Sequence, residues 1–291
     1  MPFHAGFVSI IGKPNSGKST LLNAFVGEKI SIITAKAQTT RHRIRGILSG
    51  ENFQIVFSDT PGLIDSKYEL HRNMMKTVEE SLKDADILLV MADATKNLES
   101  IIELAERLRK INLPKIIALN KSDAVKKEQL QVLEEAAKKQ FPDASVISIS
   151  ALLKQNIDKL LDTIIKKLPE HHAYYTSDEL TDRSERFIVS ETIREKIFQQ
   201  FQQEVPYSSE VIIQEWKDEI NIIKIRAEII VERDSQKGII LGRNGQSIKQ
   251  LGIEARKDIE SFLNKKIFLG LTVKVNPGWR NDEKALKYYG Y

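Results

Sequence analysis

A glycine-rich segment near the start of the chain has the residue types and spacing that bind phosphate groups. At Gly12 and Gly17 the backbone can approach a ligand closely, so that its N–H groups converge on phosphate oxygens. Lys18 can reach the β- and γ-phosphates of a nucleotide, and the Ser19 hydroxyl can bind Mg²⁺. The other nucleotide-binding residues predicted in this loop are Lys13, Pro14, Asn15, Ser16 and Thr20. A chance turn of glycine and serine is the alternative interpretation, which the later motifs weaken.

A second motif, Asp59-Thr60-Pro61-Gly62, follows a predicted strand. The Asp59 carboxylate can hold Mg²⁺ through water, and the Gly62 N–H can contact a γ-phosphate. Taken alone, Thr60 and Pro61 could belong to an ordinary Pro-Gly turn. The order and spacing of the two motifs are those that a single nucleotide site needs.

Two adjacent threonines lie in a polar stretch before the next predicted strand. Either Thr39 or Thr40 is expected to bind Mg²⁺ when a γ-phosphate is present. We favour Thr40, which stands directly before the basic residues 41–43. Because a threonine pair is an ordinary loop feature in most proteins, this prediction depends on the phosphate-binding loop.

A third motif, Asn120-Lys121-Ser-Asp123, predicts which base is bound. The Asp123 carboxylate can accept hydrogen bonds from guanine N1–H and the 2-amino group, whereas adenine would leave it unpaired. Asn120 would contact the other edge of the ring, and Lys121 would lie over its face. Alternatively, Asp123 caps a helix that starts near Glu128. The backbone expected to meet guanine O6 is that of Ser150, Ala151 and Leu152.

Together, these motifs resemble the TRAFAC class of translation-related GTPases. The resemblance implies a Mg²⁺-dependent GTPase in which Lys18, Thr40 and Gly62 serve catalysis. Ras-type GTPases place a water-orienting glutamine after Gly62, whereas this chain has Leu63, so we expect slow intrinsic hydrolysis. In several members with an apolar residue there, an asparagine placed like Asn15 helps to hold K⁺, which makes a K⁺ site at Asn15 a hypothesis.

The apolar patterns of the first 168 residues predict the α/β fold of a P-loop NTPase, with a doubly wound, mostly parallel sheet. Continuous apolar runs indicate buried strands, and runs with helical spacing indicate helices. The predicted strands are Phe7–Ile11, Ile44–Leu48, Phe53–Phe57, Ile87–Met91 and Ile116–Leu119, the second and third as an antiparallel pair. The predicted helices are Glu99–Lys110, Glu128–Gln140 and Ile157–Lys167.

A stretch rich in proline and small polar residues breaks this pattern after Leu168. We therefore predict a GTPase domain over 1–170, a linker over 171–182 and a smaller α+β domain over 183–291. In the smaller domain the patterns indicate helix Arg183–Phe201, a hairpin of Val211–Trp216 and Ile220–Val231, helix Gln246–Leu263 and strand Ile267–Val275.

A Gly-x-x-Gly loop precedes the second of these helices and would let the backbone approach the phosphates of a single strand. The motif alone is weak, because any tight turn between helices could contain it. Residues 233–274 contain nine basic and four acidic side chains, a local charge of +5 that favours an anionic partner. The residues predicted to bind RNA are Gly242, Arg243, Asn244, Gly245 and Lys249 at phosphates, and Ile239, Ile240 and Ile248 at bases.

The order of helix, two strands, short helix, loop, helix and strand resembles a type II KH domain. With the preceding motifs and the tail from Trp279 to Tyr291, the whole chain resembles the Era family of bacterial GTPases. The resemblance implies binding of GTP and GDP, binding of the 3′ end of 16S rRNA and assistance to 30S ribosomal subunit maturation. Ser16 departs from the family, which often has an apolar residue there.

Composition excludes several other classes of protein. The 291 residues include no cysteine, which excludes a disulfide framework and a thiolate zinc site. No apolar run approaches the roughly 18 residues of a membrane span, so we expect a cytoplasmic protein. Separately, we expect the protein to be a monomer. The net charge of +4 is too small to identify a partner.

The alternative function is a signalling GTPase peripheral to the cell membrane, whose basic patch docks lipid head groups or protein. The five histidines are expected at the surface.

Overall fold

A computed structural model describes residues 2–64 and 67–291 of the chain, which form two compact units. The first unit comprises residues 2–31, 40–64 and 74–182, and the second comprises 32–39, 67–73 and 183–291. Within the described residues, no helix combines the length and apolar character needed to cross a bilayer.

The first unit is built on a six-stranded sheet. Its strands are β1 (His4–Gly12), β2 (Ile44–Ser49), β3 (Phe53–Asp59), β4 (Ile87–Asp93), β5 (Lys115–Asn120) and β6 (Ser145–Ser148). Across the sheet they follow the order β2-β3-β1-β4-β5-β6. The β2–β3 pair is antiparallel and the other pairs are parallel, which confirms the predicted doubly wound sheet. The motif residues therefore follow strands whose carboxyl ends meet at one edge.

Helices connect these strands with one apolar face turned inward. They are α1 (Lys18–Val26), α2 (Glu69–Lys83, of which residues 74–83 belong to this unit), α3 (Glu99–Leu108), α4 (Lys127–Gln140) and α5 (Ile157–Ile165). In α3, the buried residues Ile101, Leu104 and Leu108 recur at helical spacing and pack with the apolar side chains of β4 and β5. The three predicted helices are confirmed, while the sequence prediction did not place α2 or β6.

The second unit packs helices on one face of a three-stranded sheet. Its elements are α6 (Glu185–Gln200), β7 (Glu210–Asp218), β8 (Ile223–Val231), α7 (Asp234–Leu241), α8 (Gln246–Leu263), β9 (Ile267–Val275) and α9 (Glu283–Tyr288). Strands β7 and β8 are antiparallel, and β8 and β9 are parallel. Alternate residues of β8 form the core with Val189 and Ile193 of α6 and Leu251 and Ile259 of α8.

Residues 171–182, predicted to be a linker, lie within the first unit. The Gln54 side chain of β3 accepts hydrogen bonds from the backbone N–H groups of Tyr174 and Tyr175, at 2.7 and 2.9 Å. The Ile47 N–H of β2 donates to the Leu180 carbonyl at 2.9 Å. Polar composition alone did not reveal that this segment has partners in the sheet.

Two further features belong to the second unit. Trp279 in the C-terminal tail is fully buried, and its Nε1 donates to the Ser208 carbonyl at 3.0 Å. His71 is only 5% exposed, and its Nε2 lies 3.2 Å from Gln38 Oε1. The expectation that all histidines lie at the surface is therefore wrong for His71, whose position depends on a distant segment that the sequence did not indicate.

Candidate functional site

The phosphate-binding loop joins β1 to α1, and close packing fixes its glycines. A Cβ atom at Gly17 would lie 2.1 Å from Asn120 Nδ2, and Gly17 has a left-handed φ of 97°. At Gly12, a Cβ would lie 2.4 Å from the carbonyl oxygen of Met91 in β4. Neither position can accept a side chain without displacing its neighbour. The loop thus lies at the carboxyl ends of β1 and β4, where sheets of this type bind ligands.

Lys18 is buried within this loop. Its Nζ donates to the carbonyl oxygens of Gly12 at 3.3 Å and Lys13 at 3.2 Å. Burial lowers the pKa of Lys18 to about 8, although the Asp59 carboxylate opposes this shift. A bound phosphate would supply an anionic partner that favours the charged form of the lysine.

The structure brings the three predicted Mg²⁺ ligands together. Ser19 Oγ donates to Asp59 Oδ2 at 2.6 Å and lies 2.9 Å from Thr40 Oγ1. The hydroxyl of Thr39 instead donates to the Lys36 carbonyl at 2.8 Å. Of the two threonines, the structure therefore places Thr40 beside Ser19.

The surroundings of the Asp59 carboxylate leave one oxygen for which a bound cation would be a suitable partner. Burial raises the pKa of Asp59, against the effects of Lys18 and of hydrogen bonds from Ser19 and Ser31. Its Oδ1 is buried and has no hydrogen-bond partner among the described residues. A carboxylate oxygen beside two hydroxyls is the hard oxygen donor set that Mg²⁺ prefers. Ser31 Oγ, which donates to Asp59 Oδ2 at 2.8 Å, was missed because no motif marks it.

The Asn120 side chain makes hydrogen bonds to two separate parts of the predicted nucleotide site. Its Nδ2 donates to the Ser16 carbonyl at 2.8 Å, and its Oδ1 accepts from the Ala151 N–H at 2.9 Å. The side chain therefore joins the phosphate-binding loop to the segment predicted to meet guanine O6. Within that segment Ser150 is buried and Leu152 is exposed.

The two charged residues of the base motif are both accessible. Lys121 Nζ lies 2.6 Å from Asp93 Oδ2, an ion pair that holds the lysine stem at the end of β4. Asp123 is exposed in the short helical turn Ser122–Ala124. The alternative role of Asp123 as a helix cap is wrong, because α4 begins at Lys127 and its N-cap is Lys126.

The residues predicted to lie near a γ-phosphate are closely packed. A Cβ at Gly62 would lie 2.8 Å from Pro14 N, and Thr60 Oγ1 donates to the Ile10 carbonyl at 2.9 Å. Leu63 packs against the apolar cluster that includes α3, which agrees with its inability to orient water. Asn15 is exposed with a left-handed φ of 63°. Of the other predicted residues, Pro61 is buried and Lys13, Pro14 and Thr20 are half-buried.

In the second unit, the Gly-x-x-Gly loop turns the chain between α7 and α8. Gly242, Asn244 and Gly245 all have positive φ. A Cβ at Gly242 would lie 2.5 Å from the Ser247 Cβ, whereas a Cβ at Gly245 would meet open space. The loop is therefore a tight backbone turn with an exposed Arg243.

A groove of about 320 Å³ adjoins this loop, between α8 and the edge strand β9. Ile248, Lys249 and Arg256 of α8 line one side of it.

The prediction that Ile240 contributes to this surface is wrong. Ile240 is fully buried in the core, because α7 turns that position inward, while Ile239 remains 49% exposed. Phe268 and Ile253 also line the groove and are half-exposed, and the sequence reasoning missed them. The available signal in the sequence was an aromatic residue, Phe268, in the predicted strand Ile267–Val275.

Some of the basic residues near the groove are neutralised by neighbours. Lys265 Nζ lies close to Asp218, and Lys266 and Lys274 lie within 4 Å of Glu260 and Glu228. The positive charge facing the groove is therefore carried by Lys249 and Arg256, which line it.

Comparisons with known proteins identify the family. Residues 7–121 match the model of a family described as 50S ribosome-binding GTPase, and residues 204–280 match that of the KH domain. The chain is 44% identical to GTPase Era of Syntrophus aciditrophicus, over 99% of this chain and 95% of that protein. It is 43% identical to GTPase Era of Pseudomonas fluorescens, over 98% and 96%. The chain belongs to the Era family of GTPases.

Solved structures of Era agree with this assignment. The crystal structure of Era with MgGDPNP and nucleotides 1506–1542 of 16S ribosomal RNA matches with a TM-score of 0.95 and 38% identity, over 99% of each chain. A substituted Aquifex aeolicus Era bound to GDP and aluminium fluoride matches with a TM-score of 0.94 and the same identity. The predicted fold, a P-loop GTPase domain followed by a KH domain, is confirmed, and the chain is a GTP-hydrolysing enzyme.

Proposed function

We propose that this GTPase binds the 3′ end of 16S rRNA with its KH domain and assists maturation of the 30S subunit. One observation carries the proposal: the chain matches, from end to end, an Era structure that holds nucleotides 1506–1542 of that RNA. The groove between α8 and β9 supplies a surface for it, with cationic and apolar side chains side by side.

In the first unit, Ser19 and Thr40 would hold Mg²⁺ directly and Asp59 would hold it through water. When bound, the ion neutralises charge on the phosphate oxygens. Lys18 would bind the β- and γ-phosphates, and Asp123 would select guanine. The N–H of Gly62 would contact the γ-phosphate.

A K⁺ site at Asn15 remains part of this proposal, because Leu63 leaves the transition state without a water-orienting side chain. We expect faster GTP turnover in potassium than in sodium buffer at equal ionic strength. Equal turnover would remove the K⁺ site and leave the Mg²⁺ site unaffected.

In the KH domain, we assign phosphate contacts to Arg243 and Lys249 and base contacts to the apolar groove residues. The latter are the half-exposed Ile253 and Phe268 and the partly buried Ile248. We also assign a base contact to Ile239, which is half-exposed on α7. An exposed aromatic ring can stack on a base, which contributes about 1–3 kcal/mol. Phe268 is thus expected to be the strongest of these contacts.

The test compares Phe268→Ala and Arg243→Glu with the control Lys139→Glu, which makes the same charge change on an exposed residue of α4. The ligand is a single-stranded RNA with the 3′-terminal sequence of 16S rRNA. We expect Phe268→Ala to weaken binding about ten- to hundredfold. Arg243→Glu should also reduce, by about one, the magnitude of the slope of log K against log salt concentration, where K is the association constant for RNA. GTP hydrolysis without RNA should stay unchanged in all three.

Undiminished RNA binding by Phe268→Ala and Arg243→Glu would contradict the proposed RNA site. Vesicles with and without anionic lipid test the alternative function. Binding to anionic vesicles by a chain with no affinity for this RNA would favour a role at the membrane surface.

A further inference from the structure

Residues 32–39 and 67–73 come from the GTPase half of the sequence but belong to the second unit. The first of these segments ends at Thr39, one peptide bond before the predicted Mg²⁺ ligand Thr40. Its contacts with α6 are therefore relevant to the nucleotide site.

Helix α6 holds this segment by its main chain at two points. Glu195 Oε1 accepts a hydrogen bond from the Ile33 N–H at 2.9 Å. At the other end, Arg194 Nη2 donates to the Thr39 carbonyl at 2.5 Å. Lys36 adds a third contact, since its Nζ donates to the carbonyl of Phe198 near the end of α6.

Arg194 is itself held in place by a neighbour on α6. Its Nε donates to Glu191 Oε1 at 2.7 Å and its Nη2 to Glu191 Oε2 at 2.5 Å, the two-point geometry that fixes a guanidinium. Arg194 is fully buried and Glu191 is 3% exposed. A buried ion pair contributes little net stability, because desolvation offsets the attraction. The ion pair with Glu191 therefore does not by itself account for a buried arginine at this position.

The peptide group connects this contact to the nucleotide site. The Thr39 carbonyl and the Thr40 N–H belong to one planar unit, so a bond that fixes the carbonyl also orients the start of Thr40. The Thr39 hydroxyl is separately bonded to Thr34 Oγ1 at 2.6 Å, which leaves this peptide little freedom. On the other side of the peptide, Thr40 Oγ1 lies 2.9 Å from Ser19 Oγ.

We propose that Arg194, held by Glu191, is a positioning residue for GTP hydrolysis: by binding the Thr39 carbonyl it keeps Thr40 where Mg²⁺-GTP needs its hydroxyl. This inference rests on the proposed role of Thr40 as a Mg²⁺ ligand. The GTPase site then depends on a side chain outside the GTPase sequence motifs. GDP binding, which lacks the γ-phosphate contact, does not depend on it.

The test uses the full chain with the double substitution Glu191→Gln/Arg194→Met. This variant removes the bond to Thr39 without leaving a buried unpaired carboxylate. We expect the single-turnover hydrolysis rate to fall about ten- to hundredfold, the loss typical of a misplaced catalytic group. The Mg²⁺ concentration for half-maximal rate should rise, and GDP affinity should stay within about twofold. Lys265→Met is the matched control, since it removes an ion pair to Asp218 in the same unit and should leave all three quantities unchanged.

Arg194→Lys provides a second variant, which keeps a cation beside Glu191 and should fold if the double variant does not. It removes the guanidinium that bonds both Glu191 and the Thr39 carbonyl, and a smaller fall in rate with unchanged GDP affinity is expected. Hydrolysis at the wild-type rate in either folded variant would overturn the inference. A parallel loss of GDP affinity would also overturn it, because the effect would then be a general disruption.

Thr40→Val separates this inference from the proposed function. If Thr40→Val changes neither the rate nor its Mg²⁺ dependence, the proposed metal site is wrong. If Thr40→Val impairs hydrolysis while Glu191→Gln/Arg194→Met does not, only the role of Arg194 is wrong.

Discussion

Gly17 and Gly27 lie at the two ends of α1, and both have left-handed backbone angles, with φ of 97° and 81°. A Cβ at Gly17 would lie 2.1 Å from Asn120 Nδ2, whereas at Gly27 it would meet nothing within 4 Å. We expect Gly17→Ala to lower GDP affinity at least tenfold, because Asn120 must move. Gly27→Ala should lower the free energy of unfolding by about 1 kcal/mol and leave affinity unchanged. Calorimetric titration measures the GDP affinity of each variant, and denaturant unfolding measures the free energy of unfolding. Equal affinities in the two variants would contradict this account of the loop.

The sequence predicted the residues of the nucleotide site better than their individual partners. Glycine spacing and a strand before the loop place Lys18 and Ser19 with little ambiguity. Which atoms Asn120 contacts, and that Ser31 donates to Asp59, depend on loops far apart in the chain. For the same reason Ile240 could not be distinguished from the neighbouring exposed Ile239: both are apolar, and only the rotation of α7 decides which is buried.

At the scale of elements, α4 starts without a side-chain cap. Its N-cap, Lys126, has extended angles suited to a capping residue but makes no capping bond with its side chain. Lys126→Ser should raise the free energy of unfolding by about 0.5–2 kcal/mol, since serine can accept from an N–H of the first turn. The capped helix α6 gives the reverse control: Ser184 accepts from the Phe187 N–H, and Ser184→Ala should be destabilising. A chemical denaturation series measures both, and a less stable Lys126→Ser would contradict the prediction.

The spacing of apolar residues predicted most helices and strands, because an element that buries one face has apolar residues at regular intervals in its own sequence. Helix Gln246–Leu263 and strand Ile267–Val275 were predicted with the observed bounds. The positions of residues 32–39 and 171–182 were not predicted, because neither segment has a periodic apolar pattern and their hydrogen bonds go to other parts of the chain. The missed helix α2 buries Leu70, Met74 and Val78 at four-residue spacing, a pattern that was present in the sequence.

At the scale of the whole molecule, the division into units does not follow the order of the sequence. If residues 32–39 couple the unfolding of the two units, nucleotide binding should raise the free energy of unfolding of both. We expect one calorimetric unfolding transition, and GDP at a hundredfold its Kd should stabilise the whole chain by about 2.7 kcal/mol. Two transitions, of which GDP shifts only one, would show that the units unfold independently.

The buried tail residue Trp279 has an optical consequence. The chain has two tryptophans, so a Trp216→Phe variant would contain a single indole chromophore. The neighbouring Arg280 guanidinium lies 4.4 Å from the ring centre of Tyr68, in the segment that follows the Asp59–Gly62 motif. Emission from Trp279 would therefore report, without any attached dye, whether that segment changes its environment during a catalytic cycle.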